Sequence, residues 1–201
     1  MSIRKPKYKT LRDLLSIELV TEEDERTAEL IKLLRHVKQE KILTKAYLVA
    51  ICRWKSPRTI NLIESNHPAT IKSLTKKALT TRSERQKIEY LTKLNGVGIP
   101  MASAILTLTN PKRYGVIDIR VWQLLFAINS VQTKPKGIGF TFKNWYHYLK
   151  ILRYHAKELG VCVRYVERTL FLNHRKLQKG ILYGKKVSTD NRSKLSRRLF
   201  S

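Results

Sequence analysis

Three observations predict an all-α fold. Helix-capping signals recur along the chain, apolar residues return every three or four positions, and strict polar–apolar alternation never lasts long enough for a strand. Thr21-Glu22-Glu23-Asp24 reads as a cap with acids in the first turn, leading into Leu30, Ile31, Leu33, Leu34 and Val37. Thr44 caps an apolar helix over 46–54, and Ser56-Pro57, a cap followed by a first-turn proline, starts another over 58–64. His67-Pro68 repeats that signal ahead of Ile71 and Leu74. Ser83 opens a helix running to Leu94, Met101 to Leu108 form an apolar helix, and Asp118 opens one over 119–128. Thr141 begins a long helix reaching Leu159, and Val163–Leu177 follows after Gly160. No internal repeat is present.

Composition narrows the function classes. A chain of 201 residues with 42% apolar content supports one compact unit or two small lobes with an ordinary core. No apolar run approaches the roughly 20 residues that span a bilayer, and MSIRKPKYKT lacks the apolar stretch of a signal peptide. These features predict a soluble intracellular protein, cytoplasmic and DNA-associated, or nuclear in a eukaryote, and monomeric. Cys52 and Cys162 stand far apart, and His36, His67, His147, His155 and His174 share no ligand spacing with them, so no metal and no cofactor is expected.

The net charge of +26 is unevenly spread. Residues 1–40 hold nine basic and eight acidic side chains, residues 41–120 fifteen against four, and residues 121–201 seventeen against three. The excess therefore lies in the second and third segments, and a charge of this size implies a polyanionic partner. Nucleic acid fits better than an acidic membrane, because no amphipathic anchor accompanies the charge. The last stretch, residues 179–201, carries Lys185, Lys186, Arg192, Lys194, Arg197 and Arg198 among polar residues and reads as a basic tail.

Chemistry concentrates in the stretch LNGVGIPMASAILTLTNPKRYGVIDIRVW. Gly96-Val97-Gly98 lies between two apolar helical patterns, and the helix beginning near Pro100 adds a positive dipole end. Backbone N–H groups there suit a phosphate, with glycine allowing positive φ and close approach. After a loop holding Pro111 and Gly115, a single acid, Asp118, is delivered at a helix start.

These residues resemble the helix-hairpin-helix base-excision DNA glycosylases. Their pattern of Leu-Pro-Gly-Val-Gly, a short step, Ala, an apolar helix, a Gly/Pro loop and Val-Asp is matched by Leu94, Asn95, Gly96-Val97-Gly98, Ala102, Pro111, Gly115 and Ile117-Asp118. Only Asn95 departs clearly, in a slot often held by proline. The close match covers about thirty residues, with a looser helical likeness over most of 44–177.

The resemblance implies two helical lobes with a DNA-binding cleft between them. Residues 44–117 would form the hairpin-bearing lobe, and residues 1–43 with 118–178 the second. Asp118 would be the catalytic carboxylate, and Gly96, Val97, Gly98, Pro100 and Met101 the contact to the double-stranded DNA backbone. Trp54, Lys55, Arg58 and Trp122 would line the base pocket or fill the duplex, although Trp54 and Trp122 read equally well as core. Trp145, Tyr146, Tyr148 and Tyr154 read as core before stacking platform. Relatives that also cut the strand place a lysine two residues after the second hairpin glycine, to form a Schiff base. Pro100 stands there, which implies a monofunctional enzyme, with Lys55 or Lys93 as the remaining candidate amines. The chain lacks the four cysteines of relatives that hold an iron–sulfur cluster. The expected activity is excision of a damaged or modified base, in DNA repair or in defence against viral DNA. A helix-hairpin-helix protein that binds DNA without catalysis is the alternative.

Overall fold

The computed structural model describes residues 3–179, and these are all-helical, with eleven α-helices and one isolated bridge between Ile3 and Gln178. The basic tail predicted for 179–201 lies outside the described residues beyond Lys179.

The N-terminal part departs most from the sequence reading. Helix α1, Leu11–Glu18, has no counterpart there; the Thr10 side chain caps it by accepting from the Asp13 N–H at 3.1 Å. Helix α2, Glu25–Leu33, is capped by Asp24, whose Oδ1 accepts from the Thr27 N–H at 3.0 Å, so the cap falls three residues after Thr21. A single-turn α3, Val37–Glu40, follows. Glu22 and Glu23 precede α2 instead of forming its first turn, and Glu23 is spent on α11, as described below.

From Thr44 onward the caps fall where expected, Ser56 excepted. Thr44 caps α4, Lys45–Lys55, by accepting from the Tyr47 N–H. Ser56-Pro57 does start a turn, but Pro57–Thr59 is 3-10, the Ser56 side chain does not cap it, and α5 is the short Ile60–Glu64. His67 caps α6, Pro68–Thr80, through its ring nitrogen. Ser83 caps α7, Glu84–Leu91, which ends three residues before Leu94. Helix α8, Ile99–Thr109, is followed by α9, Ile119–Ala127, capped by Asp118. Thr141 and Asn144 make a reciprocal capping box on α10, Phe142–Glu158, and α11, Val163–Leu177, completes the fold.

Helix α8 is the axis of the molecule. Every residue from Met101 to Thr109 is buried, as expected of a helix apolar on all sides. It contacts α2, α4 and α7, while α6 packs on α7 and α4 on α5. On the other side α11 packs against α1, α9 and α10. Residues 1–43 therefore divide, α1 lying on α11 and α2 on α4 and α8. Of the aromatic stripe on α10, Trp145 and Tyr148 are core, whereas Tyr146 and Tyr154 are exposed. No helix of the described residues is long and apolar enough to cross a membrane.

Candidate functional site

The turn joining α7 to α8 is built by more than its glycines. Gly96 has φ +78°, and a Cβ there would lie 3.0 Å from Leu62 Cβ and 3.3 Å from the Ile63 side chain, so conformation and space both require glycine. Gly98, by contrast, is extended, and its expected positive φ is corrected: its backbone sits in an ordinary region. Val97 is buried and its N–H donates to the Leu94 carbonyl at 3.1 Å. It anchors the turn, and its N–H is not offered outward. Gly98 caps α8 with no side chain, and neither its N–H nor the first-turn N–H groups of Ile99 and Met101 meet a partner among the described residues. Pro100, in that first turn, has no N–H to leave unpaired.

Asn66 is the residue that sequence reasoning missed. It is buried between α5 and α6, and its Oδ1 accepts from the Asn95 N–H at 2.9 Å. Its Nδ2 donates to the carbonyls of Leu62, Ile63 and Asn95, each at 3.0 Å. This clasp also explains Asn95 in a slot that proline often holds: proline would lack the N–H that Asn66 binds. A polar residue just after a helix end gives no sequence signal of such a role.

Asp118 is delivered by a second clasp. Ser103, wholly buried on α8, donates its hydroxyl to the Pro100 carbonyl at 2.8 Å and accepts from the Ile117 N–H at 3.1 Å. The first turn of α8 and the residue before Asp118 are thereby tied to one side chain. Gly115 lets the intervening loop lie flat, since a Cβ there would stand 2.5 Å from Leu152 Cδ1 and 2.8 Å from Glu167 Cβ. Asp118 Oδ1 then accepts from the N–H groups of Arg120 at 2.9 Å and Val121 at 3.1 Å, capping α9. Its Oδ2 accepts from Lys55 Nζ at 3.0 Å, with both side chains largely enclosed. Burial pushes the Asp118 carboxyl up, but the Lys55 ammonium beside it, the Val121 N–H and the charge of Arg120 outweigh burial and hold it below the usual carboxylate range.

A cleft of about 770 Å³ opens over these groups. Of the candidate residues, Asp118, Trp54, Lys55, Arg58, Gly96, Gly98, Pro100 and Met101 line it. Val97 and Trp122 do not. The base-pocket role considered for Trp122 is corrected: it is 1% exposed, its indole N–H donates to the Thr133 carbonyl at 2.9 Å, and its ring packs edge-on against Phe140. Lys93 is exposed, lies over the Tyr90 ring, and is not part of the cleft.

The opposite wall comes from α11. Arg164 is buried and bonded to Glu23 at 2.6 Å and to Glu167, while Arg168 reaches Glu23 at 3.1 Å and Asp24 at 2.8 Å. Burial alone would lower the Arg164 pKa; the two carboxylates hold it raised. Glu167 is itself pushed up by burial, with Arg164 opposing and the Asp118 charge adding to the rise. The Arg164 guanidinium lies 5.6 Å from the Trp54 ring centroid, and the Trp54 indole N–H donates to Thr27 Oγ1 at 2.9 Å. Trp54 is thus half-buried and held rigid while still facing the cleft. The Glu23–Arg164 pair joins residues 141 apart, and nothing local announces it.

Among the described residues no three His, Cys, Asp or Glu side chains gather as a metal site. The arrangement instead offers the ionised Asp118 carboxylate, the Lys55 amine and a row of unpaired N–H groups around a single hollow. Compared with protein-family models, with curated proteins and with solved structures, the chain gives no match.

Proposed function

We propose that the protein is a monofunctional DNA glycosylase, cleaving the N-glycosidic bond of a damaged or modified base and leaving an abasic site. The observation that carries this reading is the shared hollow of Asp118 and the uncapped N-terminus of α8. The turn's N–H groups suit a backbone phosphate, which positions a strand without reading its sequence. A base turned out of the stack would enter beside the rigid face of Trp54. As the C1′–N bond breaks, positive charge grows on the deoxyribose, and the fixed carboxylate of Asp118 stabilises it and orients the attacking water. Water supplies the hydroxyl at C1′ and its proton leaves with the base. Pro100 offers no amine for a covalent alternative.

The test is counting abasic sites on oxidised, alkylated, uracil-containing, mismatched and virally hypermodified duplexes. Base release from one of these substrates, lowered about 100-fold or more in Asp118→Asn while duplex binding persists, is the expected result.

One observation favours a second reading, a DNA-binding module without catalysis. The Lys55 ammonium sits on the carboxylate oxygen that a sugar cation would need. In the enzyme reading the incoming phosphate offers Lys55 another anion and frees Asp118. Tight duplex binding with no base release on any substrate would favour the module.

A further inference from the structure

The far end of α8 closes a second hollow, of about 340 Å³, between α3, the end of α6, α7 and the loop after α8. With α8 11 residues long, this cavity stands about 16 Å from the turn at Gly98, and it shares no residue with the cleft. It does not rest on the glycosylase reading.

Five basic side chains line it, Lys38, Lys41, Arg82, Lys87 and Arg113, and no acid does. Among the described residues Lys38, Lys41, Arg82 and Lys87 form no ion pair. The neighbouring acid, Glu84, is already engaged by Arg153 at 2.7 Å, by Arg113 at 3.8 Å and by the Tyr114 hydroxyl at 3.0 Å. Lys87 is 9% exposed, and its ammonium is met by main-chain carbonyls, those of Ala78 and Thr81. Burial pushes that ammonium's pKa down; Glu84 opposes, and the Arg113, Lys41 and Arg153 charges push it down further. Lys41, at the C-cap of α3, holds φ +60°, where glycine would sit without strain. Like charges gathered around a partly enclosed hollow repel one another, and an anion placed among them relieves that repulsion.

The floor gives the rest of the ligand. Half-buried Leu79 forms an apolar floor beside the cations, with Val37, Leu106 and Tyr114 packed behind it, a surface that a bare inorganic anion leaves unused. We propose that this cavity binds a nucleotide, its phosphate among Lys38, Lys41 and Arg82 and its apolar body on that floor. The nucleotide is either free or one unit of a nucleic-acid strand.

The test is calorimetric titration of the full chain with inorganic phosphate, adenosine monophosphate and a short oligothymidylate. Wild type is compared with Asp118→Asn and with Lys38→Glu/Arg82→Glu, both of whose changed side chains are exposed. The mononucleotide should bind more tightly than phosphate, unchanged in Asp118→Asn and weakened on the order of tenfold or more in the double variant. Amide resonances of Lys38, Lys41, Thr81 and Arg82 should shift on binding. Tighter binding of the oligonucleotide assigns the site to a strand, and equal binding assigns it to a free nucleotide. Equal affinity for phosphate and nucleotide overturns the proposal. So does nucleotide binding that survives in a folded double variant or shifts only residues around Asp118.

Discussion

Asp118 has two oxygens and two tasks. Oδ1 is fixed by the Arg120 and Val121 N–H groups, so capping α9 also aims the carboxylate, and Oδ2 faces Lys55. Replacing Lys55 by methionine removes the main charge that holds the Asp118 carboxyl low and leaves burial to push it up. A depressed carboxyl is ionised, and active, to lower pH; once its pKa rises, activity is lost sooner as the pH falls. Lys55→Met should therefore move the acid limb of kcat/KM for base release to higher pH, read from about pH 4 to about pH 8. It should also weaken duplex binding, yet leave base release intact at the alkaline end. Borohydride should trap no covalent adduct with wild type. A limb that stays in place would mean that Asp118 does not set it, and trapping abolished by Lys55→Met would make Lys55 the nucleophile.

The two elements that frame the cleft are each held by one buried polar side chain, Asn66 under the α7–α8 turn and Ser103 under the loop to Asp118. Asn66→Ala leaves the Asn95 N–H and carbonyl to find other partners, while the Leu62 and Ile63 carbonyls keep the Ser65 hydroxyl and the residue-66 N–H, a loss of about 1–3 kcal/mol for a buried unsatisfied donor. Denaturant unfolding should show that loss, and duplex affinity should fall even though Asn66 does not line the cleft. Unchanged stability would mean that the turn holds itself. Elements of this kind mark how far the sequence reaches. Thr44, Ser83, Asp118 and Thr141 are legible because a cap acts within three residues of itself, and the glycine pair with Asp118 is legible as a spacing. Asn66, Ser103 and the Glu23–Arg164–Glu167 cluster are not, because their partners lie far away in sequence. Helix α1 leaves little trace in the sequence, since only Thr10 and three buried leucines mark it. Trp122 and Trp54 look alike in sequence; only packing sends one into the core and leaves the other on the cleft wall.

For the whole molecule, charge bears on the proposed nucleic-acid partner. Six of the fifteen acids are held in internal ion pairs: Glu18 on Lys176, Glu23 and Asp24 on Arg168, Glu84 on Arg153, Asp118 on Lys55 and Glu167 on Arg164. The net charge of +26 suits a polyanion, and each phosphate that a basic side chain neutralises releases condensed counterions. With about six such contacts, duplex affinity should fall about a thousandfold between about 50 and about 200 mM salt, as read by fluorescence anisotropy. Asp118→Asn should keep that slope, because the carboxylate contacts no phosphate. Lys55→Met should flatten it by about one if Lys55 trades Asp118 for a phosphate in the complex. A slope identical to wild type would leave Lys55 on the carboxylate in the bound state, where its charge would cancel the field that Asp118 must supply, and would turn the balance toward the non-catalytic module.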